Sequence, residues 1–166
     1  PSCSFLMDHA DGAIVHLNAR DVSMVMVSRA PLARIEAFKK RMGWRFPWVS
    51  SHGSDFNGDF GVSFTREQLA GGAKLYNFGS ITPYGEENHG LSVFSKEAGG
   101  DVFHTYSTYG RGCESFVGAY AILDLAPKGR DEAGLPFPMG WVRHHDKYAQ
   151  SAPGTDSCCH ATETRP

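Results

Sequence analysis

Residues 22–28 read Val-Ser-Met-Val-Met-Val-Ser, apolar on both alternations. A strand with one wet face alternates apolar and polar residues, whereas a strand apolar on both faces needs cover above and below. That requirement selects a layered α/β arrangement with helices on both sides of a sheet. The flanking segments supply the helices. Phe5, Leu6, Ala10, Ala13, Ile14 and Leu17 recur at helical spacing, so residues 5–17 form one apolar face, weakened at Gly12. Pro31 opens a second helix that Gly43 stops. Its buried stripe is Leu32, Ile35, Phe38 and Met42, and its wet face is Arg34, Lys39, Lys40 and Arg41. Residues 46–51 read as another strand. Helix, strand, helix and strand in succession imply parallel pairing through right-handed crossovers.

The second half reads differently. Residues 52–88 are irregular, with one helical turn at 66–69. Two short strands, 90–94 and 101–108, flank a turn in which Gly99-Gly100 supplies positive φ, which predicts a hairpin. Residues 113–125 carry Phe116, Val117, Tyr120, Ile122 and Leu123 and predict a closing helix, ended by Pro127 and Gly129. The expected fold is a three-layer α/β sandwich whose mixed sheet has helices on both faces. This order matches the thioredoxin-like architecture with the N-terminal strand missing from this chain. Residues 1–150 are expected to form one such domain and residues 151–166 a flexible tail.

Composition narrows the function classes. At 166 residues, a hydrophobic share of 41% supports one domain with a real core. A formal charge of −2 gives no long-range attraction to phosphate, so neither nucleic acid nor a membrane surface is an expected partner. No apolar run approaches the roughly 20 residues that span a bilayer. Four cysteines, Cys3, Cys113, Cys158 and Cys159, two of them adjacent, do not make a secreted disulfide framework. A reducing, cytoplasmic location is the expectation.

Cys3 lies where the first helix begins. A thiol there meets unpaired backbone N–H groups and the positive end of the helix dipole, both of which favour the thiolate. Cys113 follows Gly112 at the expected start of the last helix, beside Arg111, where the same argument competes with simple packing. Cys158-Cys159-His160 offers three soft ligands, but adjacent cysteines fit tetrahedral zinc poorly. His144-His145-Asp146 could join such a site or lie on a polar surface. Asp55–Phe60 lacks the spacing of a calcium loop. Arg111 and Arg130 bind an anion or pair with Asp124 or Asp131. Trp44, Trp48, Phe103, Tyr106 and Tyr109 are expected to fill core and rim.

Residues 11–64, GLSVF (90–94), VFHTYSTYGRG (102–112), LDLAPKGRDE (123–132), WVRHHDKY (141–148) and SCCHA (157–161) occur in an order with a specific resemblance. They resemble a bacterial thioredoxin-like family of unknown function whose members are labelled predicted dithiol–disulfide oxidoreductases. Members carry Cys-Pro-Ser-Cys-Ser-Phe after a strand, and this chain opens Pro1-Ser2-Cys3-Ser4-Phe5. The resemblance implies a longer native chain in which Cys3 is the second cysteine of a C-x-x-C motif. It also implies that a chain without the preceding strand is marginal alone or borrows one. Thioredoxin-fold enzymes often set a cis-proline opposite the dithiol, and here that segment is Asn88-His89-Gly90. His89 either stabilises a thiolate or occupies a surface loop.

The leading expectation is a thiol–disulfide oxidoreductase with Cys3 as its catalytic residue. Its partners would be protein or small-molecule thiols and disulfides, with a homodimer an open assembly. No organic cofactor is expected, because the electrons sit on sulfur, and no metal residue is assigned. Two alternatives remain: a peroxiredoxin-like peroxide reductase, and a non-catalytic thioredoxin-fold binding module with a metal-binding Cys-Cys-His tail.

Overall fold

The computed structural model describes residues 1–148. The tail expected at 151–166, with Cys158, Cys159 and His160, lies outside the described residues. The first half follows the sequence closely. Helix α1 spans Ser2–Asn18, strand β1 Met26–Ser28, helix α2 Leu32–Met42 and strand β2 Trp48–Ser50. Pro31 caps α2, and Gly43 closes it at φ 66°, a left-handed conformation that glycine adopts without steric cost. The strands pair in parallel, Met26 opposite Trp48 and Ser28 opposite Ser50.

The strand expected over 22–28 is shorter than its apolar run. The amide of Val22 donates to the Leu17 carbonyl (3.0 Å) and closes the end of α1, so only residues 26–28 reach a partner strand. Val22 and Val25 are left exposed.

Two short helices follow, α3 (Phe56–Asp59) and α4 (Arg66–Ala70). The α4 turn was legible in the sequence, and a capping box secures it. The Thr65 side chain accepts from the Gln68 amide at 3.2 Å, and the Gln68 side chain accepts from the Thr65 amide at 2.7 Å. The hairpin is present as β3 (Gly90–Lys96) and β4 (Val102–Tyr109), antiparallel, with an irregularity between Val93 and Phe94. Of the two turn glycines, only Gly100 has positive φ (96°).

The single mixed sheet expected from the sequence is not found. Among the described residues there are two separate two-stranded sheets, β1–β2 and β3–β4. Met26 and Ser28 turn their backbone groups toward β2, donating to Pro47 and accepting from Ser51, both at 2.9 Å. The alternation of a strand then points the N–H and C=O of Val27 the other way, toward an edge that no described strand occupies. The structure is therefore mixed α/β with small sheets, and it contains no closed barrel among the described residues.

The closing helix also differs. Residues 110–116 form a 3₁₀ segment, and the α-helix, α5, spans only Gly118–Leu125. Val117 at φ −103°, ψ 86° breaks the run between them. Gly110 sits at φ 53° against the Tyr76 ring, which lets β4 turn sharply into the 3₁₀ segment.

Helix α1 divides two hydrophobic cores. On one side, Ala10 packs with Met26, Met42, Trp44 and Phe46. On the other, Phe5 packs with Val117, Tyr120 and Val142. Trp44 is buried as expected, whereas Phe103 and Tyr106 of the hairpin stand exposed. No helix among the described residues is long and apolar enough to cross a membrane.

Candidate functional site

Cys3 occupies the second position of α1, whose first turn closes on the bond from the Phe5 amide to the Pro1 carbonyl (2.9 Å). Two residues on, Phe5 anchors the helix. Its ring meets His9, Tyr120 and Trp141 edge-to-face, with centroids 4.9, 5.8 and 5.6 Å away. His9 fastens α1 to α5. Its Nε2 accepts the Ala119 amide at 3.0 Å, so the ring proton is on Nδ1, which donates to the Phe5 carbonyl at 2.7 Å.

Behind this contact stands a carboxylate, Glu132. Its Oε1 accepts from the Tyr120 hydroxyl (2.8 Å), the Trp141 indole (2.7 Å) and the Met139 amide (3.0 Å). Burial pushes the Glu132 carboxyl up, but these donors and the nearby Arg130 outweigh it and hold it below its usual value. Arg130 lies over the Tyr120 ring, 3.8 Å from its centroid, and pairs with Asp124 at 2.7 Å and Glu114 at 3.0 Å. Of the two partners expected for Arg130, Asp124 is present. Asp131 pairs with Lys128 instead, at 2.6 Å, and Arg111 bonds Glu114.

The opening turn of α1 treats the Cys3 thiol differently from the sequence argument. Burial raises its pKa, and this outweighs the two effects that lower it, the charge of the Pro1 amino group and a bond from the residue's own backbone N–H. The amide is present, as a helix start requires, and crowding dominates it. A helix terminus contributes about 0.3–1 kcal/mol to a charge beside it, less than one pKa unit, whereas burial can shift a group by several units. The residue keeps an exposed edge.

Cys113 corrects a second expectation. It lies inside the 3₁₀ segment rather than at the start of α5, and it is 4% exposed. Its sulfur faces the Thr108 carbonyl at 3.7 Å. Burial, and after it the charge of Cys3, push this thiol up to about 11. Arg111 does not activate it, being engaged with Glu114. Helix α1 packs on the 3₁₀ segment that holds Cys113, a contact between segments about 110 positions apart that neither segment announces in its own residues.

Beyond Cys113 lies a second buried cluster. The Tyr76 hydroxyl donates to the His89 carbonyl and accepts the Gly110 amide at 2.8 Å. His89 Nε2 meets the Gly110 carbonyl at 3.0 Å. Burial pushes the Tyr76 phenol up to about 12, and the charge of Cys113 adds to this. His89 is thus a brace at the end of β4, half-buried. His144, His145 and Asp146 clip the chain's last described residues to the helices: His145 bonds Asp8 at 2.7 Å, while Asp146 and His144 both engage Arg41. No group of three or more metal-ligating side chains gathers among the described residues.

These features define a small α/β protein with an exposed thiol at a helix start and a second, buried thiol in a 3₁₀ segment. The chain belongs to the family described as bacterial protein of unknown function, DUF899, which it matches over residues 1–148. No curated protein and no solved structure matches it.

Proposed function

We propose that this protein is a thiol–disulfide oxidoreductase of thioredoxin-like type, working in the cytoplasm on protein or small-molecule disulfides through Cys3. The observation that carries the reading is Cys3 in the opening turn of α1, exposed at one edge and bonded by its own backbone N–H. Three further features support it. Helix α1, β1, α2 and the β3–β4 hairpin followed by α5 run in the order of a thioredoxin-like domain. Phe5 and His9 fix the first turns of α1 against α5, so the sulfur sits on a rigid element. A raised thiol pKa suits a sulfur that resolves a mixed disulfide better than one that starts the attack, since the attacking thiol works best with a pKa near ambient pH.

Dithiothreitol-driven reduction of insulin disulfides, followed by turbidity, tests the proposal. The protein should accelerate the reaction, and Cys3→Ser should return it to the uncatalysed rate. Acceleration that survives Cys3→Ser would remove this residue from the mechanism.

A further inference from the structure

We infer that the cleft between the 75–79 turn and the end of β4 binds the quaternary ammonium head of a small organic cation. The site is independent of the thiols.

The turn is the first unusual feature. Asn77, Phe78 and Gly79 all take left-handed backbone conformations, at φ 53°, 57° and 75°. Glycine and asparagine visit that region readily, whereas a bulky residue such as phenylalanine stays there only when its surroundings hold it. The hold is visible. Tyr76, fully buried, exchanges backbone bonds with Ile81 at 3.1 and 3.2 Å. The Ser80 amide and hydroxyl both donate to the Asn77 carbonyl, at 3.2 and 2.6 Å. So constrained, the turn presents the Phe78 ring 80% exposed. Folding gains nothing from a strained backbone that keeps a large apolar ring in water, and residues in such conformations gather at ligand clamps.

The cleft beside the turn has prepared walls. About 200 Å³ in volume, it is bordered by Asp59, Phe60, Leu75, Asn77, Phe78 and Tyr109. The Phe78 and Tyr109 rings stand 5.2 Å apart at 80°, as two walls of a corner. Tyr109 is fixed by the Tyr76 ring at 5.7 Å, and it lies so close over Gly90 that a Cβ there would come within 2.6 Å. Phe60 is held by Phe56 and Phe94, at 4.6 and 5.9 Å. Walls set before a ligand arrives lose little freedom on binding.

Charge decides the ligand. Aromatic faces carry the negative part of the ring quadrupole and attract cations. Asp59, the last residue of α3, adds a full negative charge, and it forms no ion pair among the described residues. No lysine or arginine borders the cleft, so an anion is repelled. A primary ammonium is strongly hydrated and needs an acceptor for each of its N–H groups. A quaternary ammonium has no N–H. Its methyl groups can rest on the rings while its charge faces the rings and the carboxylate. Size agrees, since about 200 Å³ falls below the roughly 300–1,000 Å³ of drug-sized sites and suits a head group.

Choline, titrated into the ¹⁵N-labelled full chain at ionic strength matched with sodium chloride, tests the inference through backbone amide shifts. Saturable shifts are expected at residues 59–61, 75–79 and 109. The alcohol 3,3-dimethyl-1-butanol, in which carbon replaces the charged nitrogen, should bind at least about tenfold more weakly. Phe78→Ala should weaken choline about fivefold and Asp59→Asn about threefold. Both side chains are exposed, so amide shifts away from the cleft should stay as in the parent. Equal binding of choline and the alcohol to the parent chain, a comparison that needs no variant, would overturn the proposal. So would shifts that fail to saturate or that lie away from the cleft, or a Phe78→Ala chain that binds choline as the parent does. Cleft shifts that follow protein concentration and ignore choline would show a second copy of the chain on Phe78 instead. None of these results bears on the chemistry of Cys3.

Discussion

The two described thiols occupy contrasting seats. Cys3 stands in the first turn of a 17-residue α-helix with an edge in solvent, and Cys113 lies inside a seven-residue 3₁₀ segment, 4% exposed. Helix position favours the first and offers the second nothing, yet both are pushed toward the neutral thiol. The contrast teaches that desolvation outranks the helix terminus whenever neighbours crowd the sulfur. What separates the two is degree: Cys113 reaches about 11, with a second thiol adding to its burial.

The wall behind Cys3 is the first place to break this contrast. Glu132→Ala would leave the Tyr120 hydroxyl, the Trp141 indole and the Met139 amide without their shared acceptor. Urea unfolding should show a loss of about 2–3 kcal/mol, given what unsatisfied buried donors cost. Because Phe5 packs on Tyr120 and Trp141, Cys3 should also become easier to alkylate. An unchanged midpoint and an unchanged Cys3 would show that the network does not hold the turn.

Removing each sulfur in turn sharpens the contrast with a smaller effect. Cys113→Ala empties part of a buried site and should cost about 1 kcal/mol, whereas Cys3→Ala should stay within about 0.5 kcal/mol of the parent. Paired thermal melts read the difference, and equal losses would mean that Cys3 is as firmly packed as Cys113.

Much of the first half was legible because periodicity and punctuation agreed there. Pro31 and Gly43 bracket α2 within one residue of their predicted roles, and of the expected stripe Ile35 and Met42 are buried and Phe38 half-buried, whereas Leu32, in the first turn, stands exposed. The hairpin was legible from its turn. The last helix was not, because Val117, apolar and well placed for a helical stripe, takes a non-helical backbone conformation that periodicity does not encode. The mixed sheet was misread for a related reason. An apolar run shows that a strand wants cover, but pairing partners are set by tertiary placement, and Val27 faces an edge with no described partner.

At the site, Cys3 was visible because a helix start can be read from the chain. Its raised pKa was not, since the burial that raises it is set by folding rather than by chain position. Cys113 was visible as a residue, but its burial inside a 3₁₀ segment was not. Glu132 lay in plain view within LDLAPKGRDE, but only folding brings three donors to one of its oxygens.

The account depends on Cys3 being the accessible, reactive sulfur and Cys113 the shielded one. Brief iodoacetamide labelling of the native reduced chain between pH 7 and 11, with the 1–20 and 112–128 peptides quantified separately, measures this directly. Labelling of Cys3 should lead at every pH, with Cys113 catching up only as the pH nears 11. Cys113 labelled first, or both sulfurs labelled at one rate, would contradict it.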